Sequence, residues 1–323
     1  MMPPDLAAMG DVNGRAGLAQ WMRLPPTPTL PRKGGRGRQR PPQRPTDAGV
    51  LLINVLVVLA LASAVLVGMI RVADMAIARS QTFLDAARAE ALIDGGEASA
   101  MAVLLRDMNE APQADHLGEP WAAIAQDEVA VDGGTFRLTL TDAQARFDLN
   151  TLHGSGGIGP QILSRIADRI GLPPDAAERI IARMARDPAP ARLADLRAGA
   201  GLSAAQVADL GRLVTLLPLR ADVNINTAPD DLIFALADNP VQARGLIAIR
   251  RLKGALTPED MAAVQFVLLP GIGYASRLFE VRVTARIGAV EMTGGSLLLR
   301  RFGAAGAAEV VAVQRWRGDA GGA

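Results

Sequence analysis

The stretch that decides the fold is Asp47-Ala48-Gly49, followed without a break by Val50-LLINVLVVLALASAVLVGM-Ile70. Between Val50 and Ile70 there is no charge, and only Asn54, Ser63 and Gly68 interrupt the aliphatic run. At about 1.5 Å per residue the run spans about 30 Å as a helix, enough to cross a hydrocarbon core. A helix also satisfies its own backbone polar groups in lipid. A buried core helix is the competing reading, and the length, the missing charge and the basic upstream flank argue against it. That flank carries Arg32, Lys33, Arg36, Arg38, Arg40 and Arg44, whereas the first charges downstream are Arg71 and Asp74. The bias places the N-terminus in the cytoplasm and everything after Arg71 across a single membrane span. A secretory signal has a shorter apolar region closed by a small-residue cleavage site. Here a helical pattern continues instead, so the span is expected to be retained.

Working outward, residues 1–49 cannot make a core. Pro25, Pro26, Pro28, Pro31, Pro41, Pro42 and Pro45 alternate with glycine and arginine, a composition of disordered chain. The chain has 34 basic and 33 acidic residues, of which this leader holds 8 and 3, leaving 26 against 30 in the remainder. The part beyond the leader is therefore no general polyanion binder. Cysteine is absent, which excludes disulfides and thiolate metal sites.

After Arg71 the helical pattern persists through Val72, Met75, Ile77, Phe83, Leu84, Ala87, Ala91 and Leu92. The helix is expected to pass Gly95-Gly96, with a bend there, and to end near Met108. Its apolar stripe needs a sheet to cover it. Glu128-VAV-Asp132 and Thr135-FRLTL-Thr141 around Gly133-Gly134 read as a hairpin. Glu280-VRVTA-Arg286, Ser296-LLLR-Arg301 and Glu309-VVAVQR-Trp316 read as later strands, with Gly294-Gly295 and Gly303 to Gly306 as turns. Between these groups, 163–170, 174–185, 193–197, 204–217, 230–237 and 241–251 are short amphipathic helices. The order is helix, sheet, helical insertion, sheet: an α+β chain with one domain interrupted by another.

This order, with Gly118-Glu-Pro-Trp121 before the hairpin, Ala145-Arg-Phe-Asp-Leu-Asn150 after it and Val223-Asn-Ile-Asn-Thr-Ala-Pro229 in the insertion, resembles the K-class minor pseudopilins of type II secretion systems. The resemblance covers about residues 46–317. It implies a type IV pilin-like fold, a long N-terminal helix packed on an antiparallel sheet, interrupted by a mostly helical inserted domain. The segments expected from it are a leader 1–49 removed on processing and a transmembrane helix 50–70. A pilin-like helix with first strands follows at 71–144, then an inserted domain with a helix-hairpin-helix-like element at 145–272. Remaining pilin-like strands at 273–317 and a flexible tail at 318–323 complete the chain. The resemblance further implies cleavage between Gly49 and Val50 by prepilin peptidase, with methylation of the new amino terminus. Pilin-like subunits in general carry a glutamate five residues into the mature chain, where this sequence has Asn54. A buried carboxylate is costly unless a neighbour pairs with it, and a tip subunit has no neighbour above. The implied function is therefore a non-enzymatic subunit at the tip of an inner-membrane pseudopilus. Its head lies in the periplasm, and its partners are the I-class and J-class minor pseudopilins, prepilin peptidase and the inner-membrane secretion platform.

Within the insertion, Asn224-Ile-Asn-Thr-Ala-Pro-Asp-Asp231 has a sufficient structural account. Asn226 or Thr227 can cap a helix, Pro229 suits its first turn, and Asp230 and Asp231 favour its positive end. Together with Leu269-Pro-Gly-Ile-Gly273 the motif also resembles helix-hairpin-helix modules, the basis of an alternative as a membrane-anchored, competence-type DNA-binding protein. Only Arg244, Arg250, Arg251 and Lys253 gather nearby, so no nucleic acid is expected. Gly154-Ser-Gly-Gly-Ile-Gly159 matches a dinucleotide fingerprint but lacks the parallel βαβ unit that gives it meaning. His116 and His153 are the only histidines, and no catalytic constellation can be spaced from them. K-class relatives often carry an acidic loop where this chain has Ala185-RDPAPA-Arg192, with the single carboxylate Asp187. No metal, cofactor or catalytic residue is expected.

Overall fold

The computed structural model describes residues 47–110, 113–124, 126–152, 157–186, 188–303 and 306–318. The expectations for the leader before Asp47, His153, Gly154 to Gly156, Asp187 and the tail from residue 319 lie outside them. The chain divides into two units, one ending at Leu66 and the other beginning at Val67.

In the first unit the described residues belong to a single helix, α1, which as a whole runs Asp47–Glu110. Every residue from Gly49 to Leu66 is exposed, and α1 is long and apolar enough to cross a membrane. Exposed Val, Leu and Ile at this density are at home in lipid rather than water.

In the second unit α1 packs on a five-stranded sheet of order β1-β2-β7-β8-β9. The strands are β1 Gln126–Val131, β2 Gly134–Asp142, β7 Leu278–Ile287, β8 Val290–Phe302 and β9 Ala308–Arg317, each antiparallel to its neighbour. The covered stripe of α1 is Ala89, Ile93, Gly96, Ala100, Leu104 and Met108, at helical spacing. Of these, Ala89, Ile93, Ala100 and Leu104 share one core with Leu138 and Leu140 of β2, Val281, Val283 and Ala285 of β7 and Leu298 of β8. The stripe begins later than the sequence pattern implies: Val72, Met75, Ile77, Phe83 and Leu84 are exposed.

Glycines explain two further departures. The helix is unbroken at Gly95-Gly96, and a Cβ on Gly96 would stand 2.7 Å from Val283 Cγ2, so this glycine admits the sheet. Gly294-Gly295 is not a turn but the middle of β8. A Cβ on Gly294 would meet Ile93 Cγ2 at 2.8 Å, and one on Gly295 would meet Trp316 Cζ2 at 2.5 Å. The strand stays extended there because close packing, not a reversal, needs the missing side chain.

Strands β2 and β7 pair along their whole length, from Gly134↔Ile287 to Asp142↔Phe279. All of 143–277 is therefore inserted between two adjacent strands. The insertion contains β3 Phe147–Asp148, α2 Ile158–Arg169, α3 Ala176–Met184, α4 Leu196–Gly199, α5 Ala204–Leu210 and β4 Val214–Thr215. It continues with β5 Val223–Asn224, α6 Asp230–Leu236, α7 Pro240–Lys253, α8 Pro258–Ala263 and β6 Ile272–Gly273. A separate core from Phe147 to Ile272 fills it. Two short parallel ladders, β3 with β4 and β5 with β6, each close one half of it.

The helix expected over 204–217 stops at Leu210, because Leu213 to Leu217 are buried in extended chain, where Val214 pairs with Phe147. Helix α8 has no amphipathic pattern to announce it, but Thr257-Pro-Glu-Asp260 forms a capping box with proline in the first turn. No helix begins at Leu269 to Gly273: Gly271 takes a φ of +87°, and the chain enters β6. A phosphate-holding hairpin needs a helix start at that point.

Candidate functional site

Two regions carry the residues singled out in the sequence. The first is the start of α1, where Gly49 and Val50 lie in the first helical turns and Asn54 stands exposed on the apolar span.

The second is the joint between sheet and insertion, built around the Asn224 motif. Asn224 is fully buried, and its Nδ2 donates to Asp115 O at 3.0 Å, Asp142 Oδ2 at 3.2 Å and Ser276 Oγ at 2.8 Å. Its Oδ1 accepts the N–H of Asn226 at 3.0 Å. Thr227 Oγ1 donates to Asp142 Oδ2 at 2.5 Å, and Asn226 Oδ1 accepts the N–H of Leu256 at 2.7 Å. Asn226 and Thr227 therefore do not cap α6. Pro229 occupies the N-cap position with no side-chain hydrogen bond, one place before its expected first turn. The reason is competition: both side chains are drawn to partners that become neighbours only when the chain folds. Asp230 and Asp231 do sit in the first turn, where Asp230 pairs with Arg250 at 2.6 Å and Arg251 at 2.5 Å, and Asp231 with Arg169 at 2.8 Å.

Asp142 ends β2 and is the hub. Its Oδ1 accepts the N–H of Gln144 at 2.7 Å, while Ser276 Oγ donates to its Oδ2 at 2.6 Å. Burial pushes its carboxyl up to about 6, against the hydroxyls of Ser276 and Thr227, which hold it down. Ser276 leads on to a second cluster. Its N–H donates to Asp115 Oδ2 at 2.6 Å, and its carbonyl accepts from Arg300 Nη2 at 2.6 Å. Arg300 of β8 also binds Asp107 at 2.7 Å, pairs with Asp115, and lies 4.6 Å over the Phe279 ring. Burial raises both of those carboxyls above the ordinary range, although Arg300 opposes it. Trp121 is fully buried with its indole N–H on Glu119 Oε2 at 2.7 Å, and it meets Phe279 edge-on at 5.0 Å. Asp107, Asp115 and Glu119 converge, but the cation between Asp107 and Asp115 is a guanidinium.

Sequence reasoning missed Asp142, Ser276, Arg300 and Asp107. For Asp107, Asp142 and Arg300 the signal is polarity within a strand or helix pattern, and for Ser276, in the loop before β7, there is none. Of the motifs it did use, Gly118-Glu-Pro-Trp121 enters through Glu119 and Trp121, and Ala145 to Asn150 through Asp148 and Asn150. Asn150 Nδ2 binds Leu217 O at 2.8 Å. His116 Nδ1 accepts the N–H of Gly118 at 3.1 Å, a loop contact. A cleft of about 290 Å³ in the insertion is floored by Phe147, Ile162, Val223 and Ile272, with Arg220 and Asp222 on its wall. Among the described residues its lining shows no nucleophile hydrogen-bonded to a base.

No family model matches the chain. Over 249 residues it is 29% identical to the type II secretion system protein K of Pseudomonas aeruginosa, covering 66% of this chain and 75% of that one. Over 143 residues it is 30% identical to the type II secretion system protein K of Klebsiella pneumoniae, covering 42% and 44%. The fold is similar to a chain in the crystal structure of the GspK-GspI-GspJ complex from the enterotoxigenic Escherichia coli type 2 secretion system. The TM-score is 0.58 at 21% identity, over 75% of this chain and 100% of that one. That likeness speaks to fold alone.

Proposed function

We propose that the chain is a K-class minor pseudopilin of type II secretion, supported by its likeness to two type II secretion system K proteins, and that it caps the tip of a pseudopilus. There it would support filament assembly and the export of folded proteins across the outer membrane. The observation that carries the tip position is the placement of 143–277 between adjacent strands β2 and β7. A bulky unit at the end of a sheet obstructs a subunit stacked above it and is accommodated at a filament end. Asn54 on the exposed span agrees, since it asks for no amino terminus from a neighbour above.

In this reading Gly49–Val50 is the prepilin peptidase site, the leader is cytoplasmic, and the span rests in the inner membrane with the head in the periplasm. Residues 71–144 and 273–317 are the pilin-like part, and 145–272 the inserted domain. The exposed apolar residues Val72, Met75, Ile77, Phe83 and Leu84 of α1 then face helices of I-class and J-class minor pseudopilins. The secretion platform receives the assembled tip. The reading needs no catalysis, and Asn224, Asn226, Thr227 and Pro229 are structural in it. Nothing favours the DNA-binding alternative.

Amino-terminal sequencing of protein extracted from membranes tests the processing site. The expected first residue is Val50, and an intact leader or a cut beyond Ile70 sinks the assignment. Co-purification from the same cells tests the assembly. Recovery of I-class and J-class subunits is expected with the full chain and not after Phe83→Glu with Leu84→Glu.

A further inference from the structure

We propose that two buried side-chain amides, Gln144 and Asn224, brace the insertion against the sheet and the end of α1, so that all three move as one body. Apolar contact alone points the other way. The insertion and the sheet have separate cores, and the fully covered seam between them is only Ala143, Leu217, Ala221, Leu278 and Leu297. A unit joined by so little apolar surface is expected to swing.

The chain crosses this joint twice, over 142–146 on leaving β2 and over 274–278 on entering β7. Gln144 sits on the first crossing and reaches both the second crossing and the insertion. Its Oε1 accepts the N–H groups of Arg277 at 2.7 Å and Leu278 at 3.0 Å, and its Nε2 donates to Asp222 O at 2.7 Å. Asn224, on β5 inside the insertion, reaches the opposite way. Its Nδ2 meets Asp142 on the first crossing, Ser276 on the second and the carbonyl of Asp115 on the segment after α1. Asp115 is itself paired with Arg300, which also holds Asp107 at the end of α1. The insertion is thus tied to α1 through side chains as well as through the crossings.

Each amide fits one way round. Gln144 Oε1 faces N–H groups and its Nε2 a carbonyl, while Asn224 Oδ1 takes the N–H of Asn226. The bonds of each amide run to separate segments of chain. A rotation of the insertion about either crossing keeps some of them and breaks the rest. Groups freed in this way stay buried, where losing a partner costs more than the bond contributes net. The joint therefore has one position rather than a range. Arg277 Nη2 on the carbonyl of Arg220, at 2.6 Å, adds a strut on the exposed side. The coupling is a property of this chain alone. Only its use, carrying a displacement of α1 to the insertion at a fixed orientation, rests on the tip reading.

The chain contains no cysteine, so spin labels can be placed by substitution. Ala98→Cys on α1 with Ala182→Cys on α3 spans the joint, and Ala182→Cys with Ala262→Cys on α8 stays inside the insertion. All three alanines are exposed. Double electron–electron resonance on the full-length protein in detergent micelles is expected to give equally narrow distance distributions for both pairs. Gln144→Ala should widen the pair across the joint about twofold and leave the inner pair unchanged. Leu163→Ala, which opens a cavity in the insertion's own core, should lower the melting temperature without widening the pair across the joint. A native distribution across the joint that is broader than the inner one overturns the brace. So does a Gln144→Ala chain that melts earlier but keeps the native width, or equal widening by Leu163→Ala. If alanine at 144 prevents folding, Gln144→Met keeps the length without the polar atoms and is expected to widen the same pair. These distances are read on the isolated protein, so they stand or fall separately from the position of the chain in a filament.

Discussion

Arg300 shows how much can depend on one side chain in this molecule. It is 8% exposed and neutralises two buried aspartates while holding the Ser276 carbonyl. Removing it leaves Asp107 and Asp115 facing each other across a vacated cation site. Arg300→Met is expected to cost about 3–5 kcal/mol, the range for breaking a buried ion pair from one side. The deficit should shrink on acidification, because both carboxyls already lie above their ordinary range and titrate to neutral forms. Denaturant midpoints at neutral and mildly acid pH measure both parts, and an equal deficit at the two pH values contradicts the second. Gly96 is a smaller case. Gly96→Val drives methyl groups into Val283 and is expected to cost about 1–3 kcal/mol. Gly95→Ala, with open space around its Cβ, should be neutral or gain up to about 1 kcal/mol. Melting curves of the pair separate a packing role from flexibility, since a flexible hinge predicts that both substitutions harm.

At the scale of elements, local chemistry was legible where it was complete within a few residues. Asp132-Gly133 turns the first hairpin with Gly133 at φ +80°, and Asn239-Pro240 starts α7, with the Asn239 side chain accepting the N–H groups of Val241 and Gln242. The same signal at Thr257 should have given α8. Thr257→Ala is expected to cost about 1 kcal/mol and to loosen Lys253–Asp260, read by thermal melting. Where the deciding partner is distant, the sequence misled. Thr227 looks like a cap until Asp142, 85 positions away, takes its hydroxyl. Gly294-Gly295 looks like a turn until Ile93 and Trp316 arrive above it. The last strand is pinned back to α1 by Arg315 on Glu97 at 2.7 Å and Arg317 on Asp94 at 2.9 Å. Burial alone would raise Glu97, but Arg315 overrides it and holds the carboxyl below its usual value. This group therefore stabilises above the ordinary carboxylate range and loses that contribution as pH falls, the reverse of Asp142. Glu97→Gln should cost about 0.2–1 kcal/mol at neutral pH and nothing in strong acid.

At the scale of the whole molecule, the sheet and the helical unit have separate cores joined by polar contacts and a small apolar seam of Ala143, Leu217, Ala221, Leu278 and Leu297. Replacing 143–277 by a short turn is expected to leave a folded five-stranded head, because Asp142 and Phe279 are already opposite each other. The strands should stay protected from hydrogen exchange, and Asp142, now facing water, should titrate in the ordinary carboxylate range. Loss of strand protection would show that the helical unit templates the sheet. The same register has a consequence in time. Thr141 and Glu280 touch across the sheet but stand 139 positions apart along the chain. A chain made from its N-terminus delivers β2 long before β7 exists, so β2, an inner strand of the sheet, waits with one edge unpaired. Helices α2 to α8 pack mostly against helices next in the chain and are expected to close first, shortening the loop that the final pairing must close. The insertion is thus also the clamp that limits how long an open strand edge is offered to other chains during synthesis.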